Sequence, residues 1–140
     1  MRNETSISID APPERVWAVM IDVERWPEWT SSVTSIKRLE DGDFRVGSRA
    51  RVVQPRLPTV VWQVSSLEPG REFQWQNASP LLRSVGGHRV EPEGPGSKVT
   101  LWIEQTGLMV PLLALFYKGL TRRYVQVEAE GLKRRCEGGQ

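Results

Sequence analysis

Few side chains in this sequence could carry chemistry. His88 is the only histidine and Cys136 the only cysteine in 140 residues. A zinc-type site needs several converging nitrogen, sulfur or carboxylate ligands, and an internal disulfide needs two cysteines. The sequence contains no phosphate-binding loop, dinucleotide fingerprint or serine-hydrolase elbow. We therefore predict that the protein uses neither a metal nor another cofactor.

Histidine is the one side chain that ordinarily changes its charge near neutral pH. In a dry cavity, His88 could polarise a carbonyl or move a proton during cyclisation and dehydration. Alternatively, it is a partly buried imidazole that hydrogen-bonds to a tyrosine, a serine or the backbone. His88 is the single catalytic candidate, and the assignment of catalytic residues otherwise stays open.

Aromatic side chains are the second chemical feature. Trp62 and Trp75 suit the walls of a pocket for a flat or sterol-like guest, and Tyr117 and Tyr124 could offer it hydroxyl groups. The same four residues could equally fill the core of a small protein. Both interpretations require an element that turns these residues inward.

A long helix is predicted from Val110 to Arg135. Apolar residues recur there at spacings of three and four, which places them on one helix face; they are Leu113, Tyr117, Leu120, Tyr124, Val127 and Gly131. Pro111 suits a first helical turn. The first half of the helix is apolar almost all the way round, which predicts burial on several sides.

The rest of the chain predicts a sheet with two short helices near its start. Alternation from Thr5 to Ile9 indicates a strand. Residues 10–14 have the features of a helix start, and a second short helix begins at Asp22. Six further strands are predicted at 33–40, 48–54, 59–67, 71–78, 84–91 and 98–105. Turn signals such as Asp41-Gly42 separate them. These elements predict an α+β fold.

Length and composition indicate one domain, residues 1–136, with a tail at 137–140. The net charge is +2, and basic residues cluster only on the last helix, so nucleic-acid binding is not expected. No apolar run resembles a signal peptide or a membrane span. We expect a cytoplasmic protein, and a transient contact with a membrane is compatible with the sequence.

Several segments carry a family resemblance. They are Ile9-Asp-Ala-Pro-Pro-Glu-Arg-Val-Trp17, Asp22-Val-Glu-Arg-Trp-Pro-Glu-Trp29, Leu67-Glu-Pro-Gly-Arg71, His88-Arg-Val-Glu-Pro92, Ser97-Lys-Val-Thr-Leu101 and Glu130-Gly-Leu-Lys133. Together they resemble the START-like superfamily (SRPBCC) of polyketide cyclase/dehydrase type. The resemblance implies a helix-grip fold, in which a seven-stranded antiparallel sheet wraps around the C-terminal helix and encloses an apolar cavity. Cyclases of this family commonly hold substrate oxygens with a buried arginine, and no arginine here matches such a position.

Strand alternation predicts which residues face the interior. Arg49 and Arg51 fall in the outward phase, and Gly86-Gly87 could host a bulge that shifts the phase of His88. The residues that we predict to bind a ligand are Trp29, Val52, Trp62, Val64, Phe73, Trp75, His88, Leu101, Ile103, Tyr117, Leu120 and Tyr124.

In an antiparallel meander, every second connection lies at the same end of the sheet. Loops 55–58, 79–82 and 106–109 should therefore gather at one end, where they carry Leu57, Leu81, Leu82 and Met109, together with Trp29. Apolar loop residues are unfavourable in water unless they are packed or in contact with something. We interpret this end as the mouth of the pocket or a docking surface, and the alternative is a plug of leucines.

Three functions remain open from the sequence. The leading one is binding of a small hydrophobic molecule, such as a lipid, polyketide or aromatic compound, in the internal cavity. The second is a cyclase/aromatase or dehydratase-type enzyme that depends on His88. The third is an interaction or regulatory module without a guest, whose interior would be fully packed. The protein could be a monomer or a homodimer under any of them.

Overall fold

The computed structural model describes residues 1–138. The strands are β1 (Arg2–Ile9), β2 (Ser35–Arg38), β3 (Arg49–Val53), β4 (Val60–Glu68), β5 (Glu72–Ser79), β6 (Leu82–Glu93) and β7 (Gly96–Thr106). The helices are α1 (Pro13–Ile21), a 3-10 helix (Val23–Glu28) and α2 (Val110–Glu137). This is the predicted α+β helix-grip fold, and the order of its elements follows the prediction. Residues 139–140 of the predicted tail lie outside the described residues.

The sheet has seven strands in the order β1-β7-β6-β5-β4-β3-β2, and every pair is antiparallel. Strands β2 to β7 form a meander. Strand β1 instead pairs with the last strand, so that Arg2 lies opposite Glu104 and Ile9 opposite Ser97. The two short helices carry the chain from one sheet edge to the other.

The second short segment is a 3-10 helix because its sequence cannot continue an α-helix. Pro27 lies inside it and lacks the N–H that an α-helical turn would use. The indole of Trp26 donates to the carbonyl of Met20 at 3.0 Å and is buried. This turn therefore fixes a tryptophan beneath the sheet.

The predicted alternation of the strands is confirmed. Arg49 and Arg51 point to solvent, and Ile103 is half-buried. The other strand residues predicted to face inward are all buried: Val52, Trp62, Val64, Phe73, Trp75, His88 and Leu101. The bulge considered at Gly86-Gly87 is absent, because β6 pairs with both neighbours without a shift in register. The sheet is instead irregular in β4 between Val64 and Ser66. The extra residue there lets Val64 and Leu67 both pack on the core.

Gly87 serves packing on the outer face of the sheet. A Cβ at this position would lie 1.9 Å from the ring of its cross-strand partner Trp102. The indole thus lies directly on the glycine backbone, with the guanidinium groups of Arg2 and Arg89 at 5.4 and 5.0 Å from its centre. Trp102 is therefore buried although it points away from the core.

The two halves of α2 differ, and here the sequence prediction was wrong. The buried residues of the helix are Ala129, Gly131, Leu132 and Cys136, all in its C-terminal half. In the first half, where burial on several sides was expected, Leu112, Leu115 and Phe116 are exposed. The second half therefore packs on the rest of the protein, whereas the first half leaves large apolar side chains in solvent.

The C-terminal half of α2 is tied to the start of the chain by polar contacts. Lys133 Nζ donates to the carbonyl of Ser8 at 2.8 Å, and Arg15 Nε donates to the carbonyl of Cys136 at 2.8 Å. Glu137 accepts from Lys133 and from the backbone N–H of Asp10, and these two donors lower the pKa of its carboxyl group. The helix thus extends past its predicted end at Arg135 because Glu137 has partners.

Candidate ligand cavity

A cavity of about 370 Å³ lies between the inner face of the sheet and the part of α2 that runs from Leu113 to Glu128. Three tryptophans form its aromatic wall: Trp26, Trp62 and Trp75. Their rings contact one another, with centroid distances of 5.4 Å for Trp26–Trp75 and 5.8 Å for Trp62–Trp75. Gly86 faces the same wall, since a Cβ there would lie 3.0 Å from Nε1 of Trp75. The indoles therefore pack on the backbone of β6 and leave the space beside them open.

Most of the predicted ligand-binding residues line this cavity: Val52, Trp62, Trp75, His88, Leu101, Ile103, Tyr117 and Tyr124. Whether they bind a guest stays a prediction. Four others do not line it: Trp29, Val64, Phe73 and Leu120. Val64 and Phe73 are buried in the packed core beyond the cavity.

Trp29 belongs to a different part of the molecule from the one predicted. Its ring packs on Trp26 and its backbone lies against Gly131 of α2, where a Cβ would come within 2.0 Å of the Trp29 carbonyl oxygen. The Trp29 side chain lines a separate surface cleft that also includes Arg15, Arg25 and Arg135. Trp29 therefore packs against the C-terminal half of α2 and does not lie at the mouth of the cavity.

Leu120 was assigned by a helix phase that is slightly wrong. The α2 residues that line the cavity are Leu113, Tyr117, Thr121, Tyr124, Val125 and Glu128. The centre of this cavity-lining face is rotated about the helix axis, relative to the predicted apolar face, by roughly half the angle between successive helical residues. Hydrophobic periodicity missed this because Thr121 and Glu128 are polar and were placed outside the apolar stripe.

The most polar part of the cavity is built around His88. Its ring is 4% exposed and stacks on Phe73 with centroids 4.2 Å apart. Nδ1 lies 3.4 Å from the carbonyl oxygen of Phe73, and Nε2 lies 3.5 Å from a carboxylate oxygen of Glu128. A neutral imidazole can donate to only one of these two acceptors, whereas an imidazolium can donate to both. The two contacts therefore fix the orientation of the ring and place a carboxylate beside it at the cavity wall.

Other polar groups are spread along the cavity. The remaining ones are Gln54, Asn77, Ser84, Gln105 and Thr121. No single sequence signal marks them, because each is an isolated polar residue on a strand or helix. Glu128 could have been found only by placing it on the same helix face as Tyr117, Tyr124 and Thr121.

The loops predicted to gather at one end do so. Leu57, Leu82 and Met109 line the cavity, one from each loop. The N–H of Met109 donates to the carbonyl of Leu81 at 3.0 Å, and the hydroxyl of Tyr124 donates to the carbonyl of Pro55. These contacts join the three loops to α2 around the mouth of the cavity.

Within residues 1–138, no cluster of histidine, cysteine and carboxylate residues could hold a metal ion. No helix in that part of the chain is long and apolar enough to cross a membrane.

Solved structures with this fold are numerous. A protein from Thermus thermophilus superposes with a TM-score of 0.80 at 22% identity, covering 100% of this chain and 99% of that one. A START superfamily protein from Mycobacterium smegmatis gives a TM-score of 0.80 at 14% identity, with 99% of each chain covered. The Zhui aromatase/cyclase from a Streptomyces species gives 0.78 at 16% identity, with 98% and 93% covered. At these identities the likeness establishes the fold alone.

A comparison with curated proteins finds no match. The family model described as "Polyketide cyclase / dehydrase and lipid transport" matches residues 2–137, nearly the whole chain. The resemblance noted in the sequence is thereby confirmed, and the chain belongs to this polyketide cyclase/dehydrase and lipid transport family of START-like proteins.

Proposed function

We propose that this protein binds a small hydrophobic molecule in the cavity between the sheet and α2. The observation that carries the proposal is the cavity itself: about 370 Å³ remain open beside three tryptophans in a family that includes lipid transport. Ligand pockets are typically apolar concavities with a few placed polar groups. A module without a guest would instead be expected to fill this space with side chains.

The lining indicates what kind of guest fits. Trp26, Trp62 and Trp75 offer flat faces suited to rings, and Val52 and Leu101 add aliphatic surface. His88 and Glu128 offer a donor and an acceptor at one wall, and Tyr117 and Tyr124 add hydroxyl groups. The lining therefore favours a ring-bearing or polyketide-like molecule with a few oxygens over an unbranched alkyl chain.

Filling the cavity tests this function. Thr121 faces the cavity from α2, whereas Gln126 lies exposed on the opposite side of the same helix. We expect Thr121→Trp to abolish binding of an aromatic probe, followed by quenching of tryptophan fluorescence, and Gln126→Trp to leave it unchanged. Native mass spectrometry of the purified full chain should show a co-purifying guest that Thr121→Trp removes. Equal probe affinity in both variants would contradict the proposal.

A second candidate function is acid–base catalysis of the cyclase or dehydratase type, and the contact between His88 and Glu128 is what favours it. Both groups border the cavity, and a guest carbonyl near Nε2 could exchange a proton with the pair. Glu128 would act as the partner that stabilises the imidazolium. Like the binding function, this activity would require the guest to sit beside the tryptophans.

Exchange of hydrogen at the carbon beside a ketone tests this activity directly. We expect the protein to accelerate deuterium incorporation into an aryl methyl ketone, followed by NMR in heavy water. His88→Ala should remove the acceleration, and Glu128→Gln should reduce it by about tenfold to a hundredfold. Ser84→Ala is the control, since Ser84 also lines the cavity. Binding without acceleration in the native chain would leave a carrier function and exclude catalysis of this type.

A further inference from the structure

The first turns of α2 and the loop beside them present an exposed apolar surface, which we call the apolar tip. It consists of Leu81, Leu108, Leu112, Leu115 and Phe116. Leu108, Leu115 and Phe116 are 83%, 75% and 68% exposed, well above what large apolar side chains usually show. The hydrogen bond from Met109 to Leu81 holds the loop leucine beside the helix, so the five side chains share one end of the molecule.

Positive charges follow the apolar tip along the same helix. Arg122 and Arg123 lie seven residues after Leu115 and Phe116, which places them on the same face two turns farther along. Lys118 lies between, and Arg56 follows Pro55, which is bonded to Tyr124. Among residues 1–138, these four cations have no carboxylate within ion-pair distance. We call them the basic collar.

The stretches of sequence that carry these residues contain no acidic side chain. The chain has no aspartate or glutamate between Glu104 and Glu128, and none between Arg51 and Pro58. The apolar tip and the basic collar therefore form two layers, with cations roughly 10 Å behind the outermost apolar side chains, as seven helical residues rise about 1.5 Å each. A lipid bilayer with anionic headgroups has the same two layers, and amphipathic elements bury their apolar face about 5–10 Å into it.

We propose that the apolar tip and the basic collar dock the protein on the surface of an anionic lipid bilayer. A second copy of the chain fits this surface less well, because a two-fold contact through the apolar tips would bring two basic collars together. The inference goes beyond guest binding and does not depend on it, since docking can be measured with an empty cavity. Docking would place the cavity mouth, at Met109, Leu113 and Tyr117, directly against the bilayer.

Sedimentation of the full chain with vesicles tests the proposal. We expect binding to vesicles of phosphatidylcholine with about one-third phosphatidylserine, little binding to phosphatidylcholine alone, and weaker binding as salt is added. The double substitution Leu115→Glu with Phe116→Glu should weaken binding at least tenfold. Arg122→Gln and Arg123→Gln should each weaken it about fivefold, the change that corresponds to ~1 kcal/mol for one basic residue near an anionic surface.

Matched substitutions elsewhere provide the controls. Val46 is 57% exposed in the loop between β2 and β3, and Arg51 is exposed on β3. Val46→Glu and Arg51→Gln should leave vesicle binding unchanged. All of these side chains project into solvent, and unchanged circular dichroism and melting temperature will verify that each variant folds.

Four results would overturn the proposal. One is equal binding to neutral and anionic vesicles, and another is the same loss with the control variants as with the apolar-tip variants. The third is a dimer, seen by sedimentation velocity, that the Leu115→Glu with Phe116→Glu variant dissociates, since the surface would then serve a second copy. Absence of vesicle binding by the native chain would equally reject a bilayer as the partner.

Discussion

The two ends of the space enclosed by the sheet are packed very differently. At one end, Phe73 is fully buried and contacts Trp17, Phe44 and His88 through ring centroids 6.3, 5.1 and 4.2 Å apart. At the other end, the sheet and α2 leave a cavity of about 370 Å³, and the helix projects apolar side chains into solvent. We infer that the packed end supplies most of the stability of this fold, so that the other end can contain a cavity.

The same contrast runs along α2. Its C-terminal half packs on β1 and α1 and is joined to them by hydrogen bonds from Lys133 and Arg15. Its first half lines the cavity on one side and meets solvent on the other. Because the buried residues of α2 are all in the packed half, substitutions at the two ends should differ sharply in effect.

The largest single loss of stability should come from truncating an apolar side chain at the packed end. Phe73→Ala should lower the free energy of unfolding by about 4 kcal/mol, because it removes a fully buried ring and leaves a void. Leu113→Ala, at the cavity, should lower it by about 1 kcal/mol or less, since this leucine is half-buried beside space that is already open. Urea denaturation measures both free energies of unfolding, and similar losses would show that the two ends contribute equally to stability.

Two helical glycines give a matched pair on α2. A Cβ at Gly131 would meet the Trp29 carbonyl oxygen at 2.0 Å, whereas a Cβ at Gly119 would meet nothing within 4 Å. Gly131→Ala should therefore destabilise the protein by about 3 kcal/mol, through overpacking against backbone. Gly119→Ala should stabilise it by about 0.5–1 kcal/mol, because alanine favours the helix. Thermal melting checks both signs, and a stabilised Gly131→Ala would show that the helix does not pack as closely as described.

The smallest of the effects expected at the packed end concerns its thiol. Burial raises the pKa of Cys136 from 9.0 to about 11. Between these values the folded chain binds more protons than the unfolded chain, so stability should fall as pH rises through this range. Relative to Cys136→Ala, the free energy of unfolding of the native chain should fall by on the order of 2 kcal/mol as the pH reaches the raised pKa. Denaturation at increasing pH tests this, and parallel curves for the two chains would show that the thiol is not desolvated.

The fold was largely predictable because its signals are local and repeated. Alternation on the strands identified Val52, Val64, Phe73 and Leu101 as inward, and all four are buried. The crowding of loops 55–58, 79–82 and 106–109 followed from counting antiparallel connections, and it needed no knowledge of the side chains there.

The site was less predictable because it departs from those signals. Glu128 and Thr121 face the cavity although they are polar, and hydrophobic periodicity therefore did not include them in the predicted apolar stripe. The exposure of Leu115 and Phe116 contradicts the rule that a helix segment apolar on all sides is buried. Both errors concern the cavity-lining part of α2, where the chain does not obey the requirements of a packed core.

The pairing of β1 with β7 has a consequence for how the chain folds. Strand β1 can pair with β7 only after the segment 10–95 that separates them has been made, and α2 follows β7 in the chain. Contacts this distant in sequence slow the search for the native state. During synthesis on the ribosome, the backbone of β1 therefore has no strand partner until β7 emerges. Completion of the sheet is thus coupled to synthesis of residues 96–137.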